Sequence, residues 1–338
     1  MKKTGIYVHI PFCKQKCKYC DFISFSNMNQ YVNDYIKCIL KEIEDVSKLN
    51  KLNYESGIEE LIQIDTIYIG GGTPSIISEK YIEEIIKKIK LNFNIIENIE
   101  ITIEVNPGTV NEEKLRKYYE IGINRISIGL QSTDDSLLKM LGRIHKYSDF
   151  EEVYALARKI GFKNINVDLM IGLPNQTMEI LEKSLSEIVN KNVEHISVYS
   201  LIVEENTKMF DLIESGKLKL PDEDIERKMY WKVKEFLEEN GYKHYEISNF
   251  AKETFESKHN MNCWNQNEYI GVGVAAHSYF KGIRYSNIED IKNYIQNYEN
   301  DESIHNRVFH EVQDKKQMMS EFMILRFKEN RWNRYKCI

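Results

Sequence analysis

Ile6-Tyr7-Val8-His9-Ile10-Pro11-Phe12-Cys13-Lys14-Gln15-Lys16-Cys17-Lys18-Tyr19-Cys20-Asp21-Phe22 is the stretch on which the reading of the chain turns. An apolar run, legible as a strand, stops at Pro11 and delivers three cysteines at C-x3-C-x2-C spacing. Three thiols this close together on a loop point toward a common centre and cannot all serve as core side chains. Soft sulfur selects zinc or an iron–sulfur cluster. A structural zinc site takes four protein ligands, and only His9 is near enough in sequence to be the fourth. A four-iron cluster held by Cys13, Cys17 and Cys20 keeps one iron open, and that open iron carries the chemistry.

Working outward, this strand is the first of six apolar, β-branched runs, at residues 6–10, 66–69, 99–105, 125–130, 164–171 and 195–203. Amphipathic helical patterns follow at 81–91, 111–121, 148–160 and 177–190, and the longer first gap suggests an extra helical segment near 31–49. Runs as continuous as Ile165-Asn166-Val167-Asp168-Leu169-Met170-Ile171 fit parallel strands covered on both faces. Six βα units in a row make an α/β protein with a parallel sheet, open or curled into a partial barrel. The rhythm changes near residue 204. A long helix pattern at 222–239 precedes a short run at 245–249, an irregular stretch to 267, a small-residue run at 270–277 and a helix pattern at 288–298. The expected organisation is therefore a barrel over 1–203 and a smaller α+β region over 204–338. Within the latter, a helix over 318–325 dissolves after Leu325, and the region reads as incomplete at its end.

Chemistry in such folds collects at the C-terminal ends of the strands. The cysteines follow strand one, and Gly70-Gly71-Gly72-Thr73-Pro74 follows strand two. Glu104 and Asn106 end strand three, Gln131 ends strand four, Asp168 lies in strand five, and Ile202 ends strand six. Three consecutive glycines remove every Cβ, so backbone can approach a ligand closely; a plain tight turn is the alternative. Glu104 suits an ammonium group or ribose hydroxyls, the alternative being a solvated strand-end acid. Asp168 sits among apolar neighbours and is expected to be paired, with Arg143 as the natural partner, in a ligand site or in a structural ion pair.

The 338 residues carry a formal net charge of −6, which gives no support for a nucleic-acid partner. No apolar run is long enough to span a membrane, and His9, Pro11 and the cysteines leave no signal-peptide h-region behind Lys2-Lys3. Cys38, Cys263 and Cys337 are scattered singly, as reduced thiols are, so the expected location is the cytoplasm.

The cysteine motif resembles that of the radical S-adenosylmethionine (SAM) proteins. Residues 7–13, 70–75, 103–107, 127–131, 168–174 and 270–277 together resemble the coproporphyrinogen III oxidase-like branch of that family, over nearly the whole chain. The resemblance implies a partial (β/α)6 radical SAM barrel with SAM at its top and a 4Fe-4S cluster on Cys13, Cys17 and Cys20. It also implies SAM contacts at Tyr7, Tyr19, Gly71, Gly72, Thr73, Glu104, Gln131, Arg143, Asp168, Ile202 and His277.

Two departures separate the groups within that branch. The oxidases carry a fourth cysteine where this chain has Phe22, and they have an N-terminal extension where only twelve residues precede Cys13 here. Both features are similar to the heme-chaperone type. That type carries a His-Asn-x-x-Tyr-Trp motif, which reads here His259-Asn260-Met261-Asn262-Cys263-Trp264. His259 and Trp264 are thereby marked as an axial ligand and a ring platform for heme, against the alternative of an ordinary hydrogen-bonded histidine. The expected function is a heme chaperone that binds a cluster, SAM and heme, draws on an electron donor and hands heme to an acceptor hemoprotein. The alternative is an oxygen-independent coproporphyrinogen III oxidase.

Overall fold

In the computed structural model, residues 3–50, 62–312 and 315–328 are described. Six parallel strands follow the chain in spatial order: β1 (Lys3–Ile10), β2 (Gln63–Gly71), β3 (Asn94–Val105), β4 (Arg125–Gln131), β5 (Ile165–Ile171) and β6 (His195–Ser200). Helices α1 (Val32–Asn50), α2 (Glu79–Asn92), α3 (Glu112–Glu120), α5 (Tyr147–Ile160) and α6 (Met178–Asn190) make the crossovers. Short α4 (Asp135–Leu141) precedes α5, and two more helices follow β6: α7 (Lys208–Glu214) and α8 (Glu223–Glu239). The start of α3 is capped: the Asn111 side chain accepts from the Lys114 amide at 2.9 Å.

Every second strand residue is apolar and packs under the helices: Ile6, Val8 and Ile10 on β1, Ile165, Val167, Leu169 and Ile171 on β5, with Ile82, Leu115, Phe150 and Leu185 above them. Each such side chain contributes about 1.5–3 kcal/mol. The alternate positions correct one expectation. Among the described residues no second helical layer covers them; they form a polar inner face of Tyr7, His9, Tyr68, Thr102, Glu104, Arg125, Ser127, Asn166, Asp168, His195 and Ser197. Its lower part is nonetheless buried, because the open sheet curls and its own polar groups satisfy one another. His195 bonds Asn166 at 2.5 Å and the Tyr245 hydroxyl at 2.7 Å.

The chain beyond residue 204 extends this sheet at both edges. β7 (Lys243–His244) and β8 (Asn249–Ala251) add antiparallel strands beyond β6. β9 (Glu268–Val272) lies parallel to β1, and antiparallel β10 (His277–Phe280), β11 (Ile283–Asn287) and β12 (Arg307–Val312) continue outward. Twelve strands of the described residues thus share one sheet. Short α9 (Lys258–Trp264) closes the base of the inner face, and α10 (Ile291–Glu299) packs on α1.

The small-residue run over 270–277 completes β9 and turns after Val272, where Gly273 and Ala275 take positive φ. This loop is pinned from α1: buried Glu42 accepts from the Gly273 amide, the Asn287 amide group and the Tyr294 hydroxyl, at 2.7, 2.6 and 2.5 Å. A buried carboxyl with three donors is satisfied, and its network fixes the loop against the end of β1. The last described helix, α11 (Lys315–Lys328), carries on through residues 326–328, where the sequence pattern suggested an end. Residues 329–338 lie outside the described residues.

Candidate functional site

The cysteine loop starts from a two-residue strand pair, Phe12–Cys13 with Phe25–Ser26. Backbone contacts anchor it to the far side of the sheet: Lys18 donates to the Leu141 carbonyl at 3.0 Å and receives from the Met209 amide at 2.8 Å. Tyr19 packs beside an apolar cluster containing Leu137, Leu141, Met170, Leu173, Leu201 and Met209. The loop is therefore held across the mouth of the curled sheet. Cys13 is buried, Cys17 and Cys20 are half-buried, and all three are free thiols. Burial pushes the Cys13 and Cys20 thiols up.

The glycine turn meets this loop directly. Gly72 donates to the Ile10 carbonyl, and Thr73 places its hydroxyl 3.6 Å from Cys13 Sγ. A Cβ on Gly72 would stand 2.9 Å from the Phe12 carbonyl oxygen and 3.0 Å from Cys13 Sγ, so the approach needs glycine. Gly71 donates its amide to Glu104 Oε2 at 3.1 Å, and Tyr68 donates to Oε1 at 2.8 Å. Burial and the neighbouring Asp168 charge raise the Glu104 carboxyl to about 7, despite those two donors.

Arg143 crosses from the opposite side. Its guanidinium donates to Asn106 Oδ1, to the Gly129 carbonyl at 2.5 Å and to Cys17 Sγ at 3.4 Å, while its Nε is buried without a partner. The anticipated Arg143–Asp168 ion pair is not formed. Asp168 instead accepts from Asn166 at 2.7 Å and from Ser127 at 3.4 Å, and burial raises its carboxyl. A small cleft between Lys14, Cys17, Thr73, Asn106 and Arg143 opens at this point. Gln131 sits beside it at φ 77°, where the register between β4 and β5 shifts. A left-handed glutamine at a strand end is costly, which is how functional sites hold side chains out of regular geometry.

Tyr7, Tyr19, Gly71, Gly72, Thr73, Glu104, Gln131, Arg143 and Asp168 are thus gathered at one end of the sheet with the cysteines. Ile202 is 69% exposed on the rim beyond β6. His277 lies on the sheet extension, at the start of β10, with its ring 5.5 Å from that of His310. His259 and Trp264 lie at the opposite end, on α9. His259 is buried beneath Gly5, bonds Thr66 at 2.9 Å, and burial lowers it to about 4. Trp264 is half-buried at the far end of that helix. Sequence reasoning passed over Tyr68; strict alternation along β2 places it on the same face as Gly70, which is the signal that could have found it.

The donor set discriminates between the two metals considered. His9, the residue near enough in sequence to complete a zinc site, spends both ring nitrogens, at 3.0 Å from the Tyr7 hydroxyl and 2.9 Å from the Ile23 carbonyl. Among the described residues no three His, Cys, Asp or Glu side chains surround a single-ion position. A four-iron cluster binds each thiolate at a different iron, so three spaced thiols, an unpartnered Arg143 Nε and a Cβ-free cradle at Gly72 fit it better than zinc.

Comparison with known proteins agrees. The Radical SAM superfamily model matches residues 7–188. The chain is 40% identical to the heme chaperone HemW of Bacillus subtilis over 86% of this chain and 74% of that one. It is 35% identical to HemW of Lactococcus lactis, covering 99% and 86%, and 37% identical to HemW of Escherichia coli, covering 81% and 69%. In fold it resembles the coproporphyrinogen III oxidase HemN of Escherichia coli, with a TM-score of 0.83 over 97% of this chain and 76% of that one, at 23% identity. A cysteine loop, a glycine cradle and a curled parallel sheet of this kind, with relatives this similar over most of their length, make the chain a member of the HemW-type branch of the radical SAM superfamily.

Proposed function

We propose that this protein is a heme chaperone, with a 4Fe-4S cluster on Cys13, Cys17 and Cys20, SAM at the mouth of the sheet and heme as its cargo. What carries the reading is the identity to heme chaperones across most of the chain. Phe22, 70% exposed at the position of the oxidases' fourth cysteine, supports it. A cluster with an open iron supplies an electron and a coordination position for the amino and carboxylate groups of SAM. The residues do the positioning. Gly71 and Gly72 offer backbone without side-chain obstruction, Thr73 sets its hydroxyl beside Cys13, Glu104 suits a cationic group, and Arg143 holds Cys17 and braces Asn106. Gln131, Asp168, Ile202 and His277 complete the SAM contacts in this reading, and Tyr19 fixes the loop.

Heme is assigned to the α9 region, with Trp264 as platform and His259 as axial ligand. Because His259 is buried and bonded to Thr66, its use as a ligand requires α9 to leave the sheet base. The protein works in the cytoplasm, fed by an electron donor and delivering to an acceptor hemoprotein; no described helix is long and apolar enough to cross a membrane. The test is anaerobic reconstitution, then incubation with heme and, separately, with coproporphyrinogen III, SAM and reductant. Heme should bind and pass to an apo-hemoprotein, and coproporphyrinogen should be recovered unchanged. Decarboxylated product would overturn the chaperone reading in favour of the oxidase.

A further inference from the structure

We infer that Arg284 anchors a propionate carboxylate of heme, and that Glu321 on α11 occupies this anchor as an internal stand-in until heme displaces it. The inference rests on the heme-chaperone reading above and concerns the end of the sheet opposite the cysteines. Strand register builds the site. Gly5 pairs with Tyr269, Tyr269 with Tyr279, and Tyr279 with Arg284, so these residues share one face across β1, β9, β10 and β11. A Cβ on Gly5 would stand 3.1 Å from the His259 ring, which puts α9 on that same face, with Trp264 at its end. The Arg284 guanidinium lies 4.8 Å from the centre of the Tyr279 ring. Burial raises the Cys263 thiol to about 11 and raises the Tyr269 hydroxyl as well, and the Arg284 charge opposes both rises. The cation therefore sits beside the end of α9.

That cation already holds a carboxylate. Arg284 Nη2 donates to both Glu321 oxygens at 2.7 Å, and Gln266, at φ 54° just past α9, donates to the same carboxylate at 3.1 Å. The two charged side chains are 25% and 30% exposed. An ion pair this open to water is weakly held, so a second carboxylate can exchange with the first. Glu311 lies 3.7 Å from Arg284 Nε, so the guanidinium keeps an opposite charge nearby while Glu321 leaves. Heme joins a broad apolar ring to two propionate carboxylates. Trp264, Tyr269 and Tyr279 suit the ring, and the planar fork of an arginine suits a carboxylate. Because Glu321 belongs to α11, heme arrival and release of that helix are one exchange of carboxylates.

The test titrates the reconstituted full chain with heme and with heme dimethyl ester, whose propionates carry no charge. Arg284→Gln should weaken heme by about tenfold or more, as for a lost hydrogen bond between charged groups, and should not weaken the ester. Glu321→Gln keeps the side-chain volume and removes the competing charge, so it should tighten heme by about two- to fivefold. Amide exchange over residues 315–328 should quicken in the wild type as heme binds. Equal losses of heme and ester in Arg284→Gln, or no loss, would overturn the inference. So would unchanged or weaker heme binding in Glu321→Gln, or exchange over 315–328 that heme does not quicken. Absence of heme binding in the wild type and in Glu321→Gln alike would instead sink the heme-chaperone reading, whereas binding confined to Glu321→Gln would support the stand-in directly.

Discussion

Replacing Gly71 with alanine tests how tightly the floor of the site is built. Gly71 has φ +115°, a conformation that costs an L-residue about 1–3 kcal/mol. The new Cβ would also stand 2.8, 2.9 and 3.0 Å from three atoms of the His9 ring. His9 must then tilt, and a buried ring bonded at both nitrogens cannot tilt without straining one bond, at a further cost of about 1 kcal/mol. The expected loss is about 2–4 kcal/mol, a large fraction of the stability of an ordinary domain. Gly216 is the control. It has φ +69° and nothing within 4 Å of its added Cβ, so Gly216→Ala should cost only the backbone contribution of about 1 kcal/mol. Anaerobic denaturant unfolding of wild type and both variants, with SAM affinity measured alongside, gives the comparison. Equal losses in the two variants, or a Gly71→Ala protein with unaltered SAM affinity, would refute the tight-floor argument.

Cys13→Ala, Cys17→Ala and Cys20→Ala should each abolish the roughly four iron and four sulfide per reconstituted chain, whereas Cys38→Ala, buried in α1 away from the loop, should retain them; stoichiometric zinc in the wild type would contradict the assignment. Glu104 predicts a pH dependence. Its folded value of about 7 lies above the ordinary 4.5, so the native state holds the proton more tightly and stability falls as pH rises from about 4.5 to 7. The shift bounds that fall at about 3 kcal/mol, less after solvent screening of a half-buried group, and Glu104→Gln should flatten the profile. SAM affinity should rise over the same window as the carboxylate ionises. His259→Ala should lower stability by about 2–4 kcal/mol, since it empties the sheet base and strands Thr66. Loaded with heme, the same variant should also shift the Soret band, and an unchanged band would leave His259 as a structural plug alone.

The sequence by itself determined the cysteine loop, the glycine turn and the parallel order of the six barrel strands. These are local signals: ligand spacing within eight residues, Cβ-free backbone, and side-chain periods of two and 3.6. It also marked the strand ends as the reactive edge, because parallel strands bring all their C-terminal ends to one side. Pairings between distant segments were decided only by the tertiary structure. Nothing in residues 268–272 announces that they lie beside residues 4–8, since strand pairing across more than 250 residues leaves no periodic trace. Arg143 and Asp168 were legible as charges seeking partners, yet Asn106, Gly129 and Cys17 took the one and Asn166 and Ser127 took the other. His9 shows the division most clearly. Its proximity to the cysteines was plain in the sequence and suggested a ligand, but only the folded chain brings the Tyr7 hydroxyl and the Ile23 carbonyl to its two nitrogens. A hydrogen bond depends on direction as well as distance, and direction is a property of the fold.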